Sequence, residues 1–516
     1  MSGYAPEELA GAFDRSRELF EVVIAGLEDP GTGHLTHGEL EEKLTVRARE
    51  LMRCLLQDHL DLRAAREVRA EAVVGGDGVV RTRVETGRGR QLATVFGEVT
   101  VARMAYRAPG AGNLYPADRM LNLPEGKHSH GLSRIAAIES VRGSFDDAAV
   151  AIVRATGVKI GKRQVQQMAT AAASDVAGFY DAGKPGPSPG DLLVLTYDGK
   201  GVVMRPEALR DATARAAATT GRKLATRLSP GEKHGRKRMA EIGAVYDAAP
   251  VPRTPADIIS RPGRRKGTGT GGGGDQAGGP ERSRGPVACG KWLTASLTHD
   301  LPTVIAAGFD EAERRDPDHT RAWIALVDGN NTQIEAIKTE AEHRGVPVQI
   351  VCDFIHVLEY LWKAAWTFFY PGDADAEEWV ADQATKILAG KAADVAAGIR
   401  RRATRSGYSP AERKGADQAA SYLTSKKPYL DYAHALAQGW PIATGIIEGA
   451  CRHLVQDRMD LTGARWGLPG AEAILTLRAL TSNNDFDAYW NWHLKQEQQR
   501  VHHTRYRDNH AFALAA

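Results

Sequence analysis

Few features of this 516-residue sequence suit a membrane, an export route or a cross-linked scaffold. No apolar run approaches the roughly 18–20 residues that a membrane span needs. The opening MSGYAPEELAGAFDR carries acidic residues and no apolar core, so a secretory signal is not expected. The four cysteines (Cys54, Cys289, Cys352 and Cys451) stand far apart and form no CxxC pair. That argues against a zinc ribbon or a disulfide framework and for a reducing cytoplasm. Neither sign of charge dominates: 67 Lys and Arg face 64 Asp and Glu, a net charge of +3, so the distribution of charge matters more than its total. With 42% apolar and 25% charged residues the composition is that of an ordinary globular protein, and the length suggests about three domains.

What is present changes period along the chain. Residues 6–70 read as helices, with Leu40, Leu44, Leu51 and Leu55 at helical spacing. In 79–107 two alternating β-branched runs flank Phe96-Gly97-Glu98, a hairpin signal. Residues 131–180 return to helix. DLLVLTY (191–197) is a short apolar run ending in Asp198-Gly199, read as a buried strand feeding a turn. RMAEIGAVYDA (238–248) and VACGKWLTASL (287–297) read as two more strands. The glycine-rich segment 264–285 between them reads as a flexible insertion. A helix (302–315), a strand (320–327), a helix (332–344) and a strand (346–352) follow. Residues 354–438 are almost entirely helical, and further helices run from about 443 to 496.

The order β-β-β-α-β-α-β, closed by a helix, is the ribonuclease-H-like arrangement. In sheets with parallel strands, ligands gather beyond the carboxyl ends of those strands. Asp198 follows the first strand and Asp328 the fourth. If those strands are parallel neighbours, the two carboxylates meet at one sheet edge, an oxygen-rich setting suited to Mg²⁺ and to two-metal phosphodiester chemistry. Taken singly, each aspartate is better read as a turn residue; two at matched positions, with a third acid available, favour a site. The third acid is Glu448, which makes a polar helical stripe with Arg452 and Gln456, while Ile447, Cys451 and Leu454 face the core. A solvated helix face is the plainer reading of one such Glu, but its small apolar neighbours permit close packing.

YDGKG (197–201), WIALVDG (323–329), CDFIHVLEYLWKA (352–364) and GIIEGACRHLVQDRMDLTGARWG (445–467) resemble the signature blocks of DDE insertion-sequence transposases of the ISKra family, related to the Mutator-like transposases. TVFGEVTVARMAYR (94–107), LYPADRML (114–121) and SFDDAAVAIVRATG (144–157) are similar to it too. The resemblance implies a ribonuclease-H-like catalytic domain with Asp198, Asp328 and Glu448 as catalytic and metal-binding triad. It also implies a helical domain inserted between the second Asp and the Glu. Asp353 and His356 resemble the wider group's Cys-or-Asp, two residues, His signature. They are read as accessory residues beside Arg452, with a helix N-cap and a packed His as the even alternative.

For DNA recognition, 131–169 reads as helix, helix, turn, helix. Ser144 and Asp147 form an N-cap pattern and Gly157 a C-cap. Lys162, Arg163, Gln164 and Gln167 suit base edges and phosphates. Arg222, Lys223, Arg236, Lys237 and Arg238 form a basic track, and Arg458 and Arg465 lie near Glu448; all are read as backbone contacts. The expected architecture is therefore an α/β chain. It comprises an N-terminal helical region (1–75), a β-hairpin region (76–130), a helix-turn-helix (131–185), the catalytic core (186–355), a helical insertion (356–440) and a closing part (441–516). The expected activity is that of a transposase in a bacterial cytoplasm. It would act on transposon ends and target DNA with two Mg²⁺ ions, for which Mn²⁺ can substitute, as a dimer or larger assembly away from any membrane. The rivals are a transposase-derived DNA-binding protein and a non-transposing nuclease on the same fold.

Overall fold

The structure, a computed structural model, describes residues 11–183, 191–219, 224, 236–259, 285–461 and 463–507. The chain packs as two compact units. One joins Met1–Ala182 to Asn484–Ala516, and the other is Gly183–Asn483.

In the first unit a long helix, His37–Ala65, starts at a capping box between Thr36 and Glu39. Leu60 of this helix shares a core with Leu92, Val99, Val101 and Leu123 around the hairpin. Two short strands, β1 (Val73–Val74) and β2 (Val80–Arg81), precede the hairpin strands β3 (Arg83–Thr94) and β4 (Gly97–Arg107). β3 and β4 pair antiparallel from Thr94↔Gly97 outwards, so the turn falls where the sequence puts it. Three helices follow, His130–Arg142, Phe145–Thr156 and Lys162–Ala172, around a core of Leu132, Ala136, Ile152 and Val165. The middle helix has the capping box read from Ser144 and Asp147, and Gly157 ends it in the left-handed region at φ 76°.

The C-terminal helix Phe486–Val501 belongs to this unit, whereas the sequence reading kept it with the catalytic core. It buries Phe486, Tyr489, Trp490 and His493. The Tyr489 hydroxyl donates to the Ala172 carbonyl at 2.5 Å, and His493 Nδ1 lies 2.6 Å from Asp175. Contacts spanning more than 300 residues leave no local periodicity to read.

The second unit is built on β5 (Leu192–Val203), β6 (Lys237–Ala248), β7 (Cys289–Ser296), β8 (Ala322–Val327) and β9 (Val348–Cys352). Their order across the sheet is β7-β6-β5-β8-β9. The first three strands are mutually antiparallel, while β5–β8 and β8–β9 are parallel. The helices Leu301–Arg315 and Asn331–Arg344 make the crossovers. Leu192 to Tyr197 are all buried, as expected of a strand covered on both faces. Five helices between Phe354 and Ala437 then lead to the Gly445–Met459 segment and the Leu468–Ser482 helix.

One boundary differs from the sequence reading. β5 does not turn at Asp198-Gly199 but runs on to Val203, paired with β6 through Asp198↔Ile242, Gly199↔Glu241 and Gly201↔Met239. Asp-Gly is ordinary turn chemistry, but a partner strand that continues the ladder overrides it. Residues 264–284 of the glycine-rich insertion lie outside the described residues.

Candidate active site

β5 and β8 pair in parallel from Leu192↔Ala322 to Thr196↔Leu326. Counting two residues on from the last pair, Thr196↔Leu326, brings Asp198 opposite Asp328 in register, past the end of the pairing. The ladder stops there because the buried Gln333 side chain takes the next acceptor: its Nε2 donates to the Tyr197 carbonyl at 2.8 Å. Asp198 therefore lies just past the parallel pairing, although its strand continues on the β6 side.

Strand alternation decides which way Asp198 faces. Tyr197 points to one side, where its hydroxyl donates to the Ile305 carbonyl at 3.2 Å. Asp198 points to the other, where Cys451 Sγ donates to its Oδ2 at 3.2 Å and the Gly199 amide to its Oδ1 at 2.7 Å. Cys451 follows the short helix Gly445–Ala450 that carries Glu448. Burial pushes the Cys451 thiol well above its ordinary range; the Asp198 carboxylate pushes it further, and Glu448 adds to this against Lys200. Asp198 and Glu448 thus bear on one buried sulfur.

From Cys451 to Gln456 the helix is a π-helix, a widening often found at functional sites. Exposed pairs recur every four residues: Glu448 with Gly449, Arg452 with His453, Gln456 with Asp457. An α-helix would rotate such a face by about 40° per four residues; the wider turn keeps it straight. The polar stripe of Glu448, Arg452 and Gln456 is present, with Ile447, Cys451 and Leu454 buried beneath it. The Arg452 side chain is largely exposed, 3.9 Å from Asp457.

Asp328 sits in a tight loop. Its Oδ1 accepts from the Asn330 amide at 2.7 Å, and Gly329 has φ +95°. Its own carbonyl accepts from the Tyr422 hydroxyl at 3.1 Å. Among the described residues Asp198, Asp328 and Glu448 make no ion pair with a Lys, Arg or His. Nor, among those residues, do any three His, Cys, Asp or Glu side chains gather closely enough to hold a metal ion.

Asp353 is the N-cap of the Phe354–Phe368 helix and is buried. Its Oδ1 accepts from the Ile355 amide at 2.9 Å and its Oδ2 from Thr444 Oγ1 at 2.5 Å. Both oxygens are thus engaged, and they anchor the segment leading to Glu448. His356 lies against Glu359 (3.4 Å) and packs edge-on against the rings of Tyr360 and Tyr422.

The basic residues divide. Lys162, Arg163, Gln164 and Gln167 are all exposed on their helix; Gln164 also accepts from the Gly161 amide, and Lys162 approaches Asp146 at 3.2 Å. Lys237 and Arg465 are exposed, and Arg236 is half-buried. Arg238 turns inward and donates to the carbonyls of Leu297 (2.6 Å) and Ala208 (3.2 Å). Arg458 is buried under the Trp466 ring, 4.8 Å from its centroid. Arg458 is thus not presented to a phosphate backbone, a correction to the sequence reading, while Arg238 is half-buried with part of its guanidinium engaged: a basic residue beside a turn or a Trp looks the same in sequence whichever way it points. Arg222 and Lys223 lie outside the described residues.

Sequence reasoning missed Tyr422, Cys451 as a partner of Asp198, and Glu241. Glu241 is half-buried opposite Gly199, and burial followed by the Asp198 charge raises its carboxyl above the ordinary range against the pull of Arg210. An acid in the middle of the apolar run MAEIGAVY (239–246) was the available signal.

No family model matches the chain, and no curated protein matches it significantly. Among solved structures it is similar to the Drosophila P element transposase strand transfer complex, at 10% identity over 73% of this chain and 81% of that one, with a TM-score of 0.21.

Proposed function

We propose that the chain is a DNA transposase of the DDE kind, with a ribonuclease-H-like core in its second unit and a helix-turn-helix in its first. The observation that carries the reading is that Asp198 and Asp328 each stand two residues past the last pair of the β5–β8 parallel ladder, Thr196↔Leu326, with Cys451 bringing the Glu448 helix onto the face of Asp198. The sheet order and the motif resemblance to the ISKra family support it. Three carboxylates without ion pairs among the described residues form a hard oxygen donor set that a divalent cation would compensate.

Asp198, Asp328 and Glu448 would hold two Mg²⁺ ions, for which Mn²⁺ can substitute. Bound there, the ions supply activation of a water or hydroxyl and neutralisation of charge on the phosphodiester. Arg452 and Arg465 present exposed cations for backbone phosphates, and Asp353 fixes the approach to Glu448 through Thr444. Lys162, Arg163, Gln164 and Gln167 read the terminal inverted repeats. Hydrolysis at an element end frees a 3′-hydroxyl, which attacks a target phosphodiester and expels the target's own 3′-oxygen. Pairing two ends calls for a dimer or larger assembly. The setting is chromosomal DNA in a bacterial cytoplasm; among the described residues no helix is long and apolar enough to cross a membrane.

A second reading, a transposase-derived DNA-binding protein without catalysis, is favoured by one observation: the acids are not drawn together into a coordination group. Incubating the protein with duplexes from the DNA flanking its gene, with and without Mg²⁺, separates the two. Mg²⁺-dependent cleavage supports the transposase; specific binding without cleavage supports the second reading.

A further inference from the structure

The helix Lys414–Ser425, far along the chain from Asp328, closes over the loop that carries this acid. Tyr422, on this helix, is buried, and its hydroxyl donates to the Asp328 carbonyl at 3.1 Å. Its ring is stacked on Tyr360 at 4.1 Å between centroids and 16° between planes, so the hydroxyl is aimed by a rigid aromatic pair. Gly329 completes the fit. A Cβ there would lie 2.8 Å from the Tyr422 hydroxyl oxygen, and φ +95° disfavours any other residue. Just past the end of the same helix, the buried Lys426 donates to the Asn331 side chain. The loop from Asp328 to Asn331 is therefore tied down at both ends by one helix.

We propose that Tyr422 is a positioning residue for Asp328, holding the loop that presents its carboxylate past the end of the β5–β8 pairing, and that the helical segment thereby sets the affinity of the site for its divalent cation. The carbonyl that Tyr422 holds belongs to the same residue as the carboxylate, and Asp328 Oδ1 is in turn fixed by the Asn330 amide within the loop. Turning that peptide would swing the carboxylate. The inference rests on the reading of Asp198, Asp328 and Glu448 as the metal-binding acids.

The test measures Mn²⁺ binding, by the loss of the free-ion electron paramagnetic resonance signal, for the wild-type chain, Asp198→Asn and Tyr422→Phe. Mg²⁺ dependence of cleavage is followed in parallel. Tyr422→Phe keeps the ring stack and loses only the hydroxyl. It is expected to bind Mn²⁺ about tenfold more weakly, the order seen when partners just behind metal ligands are lost. Half-maximal cleavage should then need correspondingly more Mg²⁺, with the rate recovering at saturation and DNA-end binding unchanged. Lys426→Met, which frees the other end of the loop, is the second variant and should move Mn²⁺ affinity the same way. Wild-type Mn²⁺ affinity in both Tyr422→Phe and Lys426→Met, with affinity lost in Asp198→Asn, overturns the positioning role alone. Mn²⁺ binding indifferent to Asp198→Asn overturns the metal-site reading, and the positioning role with it.

Discussion

Cys451 and Asp198 meet across more than 250 residues, thiol to carboxylate at 3.2 Å. This contact seats the Glu448 helix on β5. Because Cys451 is buried, a larger side chain there must push the helix off the strand. Cys451→Leu is expected to lose about 1–3 kcal/mol of stability, the usual cost of overpacking, and to lose cleavage. Cys451→Ser, which keeps a donor in place, should retain most of both. Denaturant melts beside cleavage assays check this; a Cys451→Leu protein as stable and active as wild type would refute the packing argument.

Asp328 and Asp353 end neighbouring parallel strands, yet they are held differently. Asp353 spends both oxygens on its helix cap and on Thr444, while Asp328 Oδ2 makes no hydrogen bond among the described residues. Asp353→Asn keeps a capping acceptor and should keep a measurable fraction of cleavage. Asp353→Ala should cost about 1–2 kcal/mol from the lost cap. Asp328→Asn should abolish cleavage while melting near wild type. Cleavage at equal protein and saturating Mg²⁺ decides, and an inactive Asp353→Asn beside an active Asp328→Asn would reverse the assignment.

For DNA recognition, replacing Lys162, Arg163, Gln164 and Gln167 together by Ala should remove the preference for element ends over random DNA. Affinity for random DNA should fall less, since Lys237, Arg452 and Arg465 remain exposed. The three-helix core lies beneath these side chains and is untouched, so the variant should fold. A preserved end preference would put recognition on another element.

The first unit should weaken in acid. His502 and His130 lie against the Leu123 and Asn122 carbonyls at 2.8 Å, and burial holds both imidazoles below the ordinary His range. The unfolded chain takes up those protons near roughly pH 6.5, before the folded one does. Stability from these groups is therefore complete above that pH and declines as the pH falls through it towards the folded values. Unfolding midpoints between about pH 8 and about pH 5 should fall with acidification, less steeply in His502→Gln. A slope unchanged by the substitution would mean that His502 is not a source of it.

Local patterns account for much of what could be read in advance. Alternation and apolar runs mark all five strands of the sheet, and Ser144, Asp147 and Gly157 mark one helix from end to end. Asp198 and Asp328 stand out in the sequence because each follows an apolar run, although β5 continues past Asp198. Features set by distant partners were not. The extension of β5 past Asp198-Gly199 depends on β6, and the inward turns of Arg238 and Arg458 depend on carbonyls and a Trp elsewhere in the chain. Tyr422 reaches Asp328 from 94 residues away, on a helix whose sequence reads only as amphipathic.

The central claim is that Asp198, Asp328 and Glu448 act together on DNA. Its most direct test is single-turnover cleavage of a labelled duplex from the DNA flanking the gene, in Mg²⁺, by wild type, Asp198→Asn, Asp328→Asn and Glu448→Gln. The account predicts cleavage by the wild type alone, with all four proteins binding the duplex alike, because an amide cannot supply the charge that the cation requires. Cleavage at the wild-type rate by any of the three variants would contradict it.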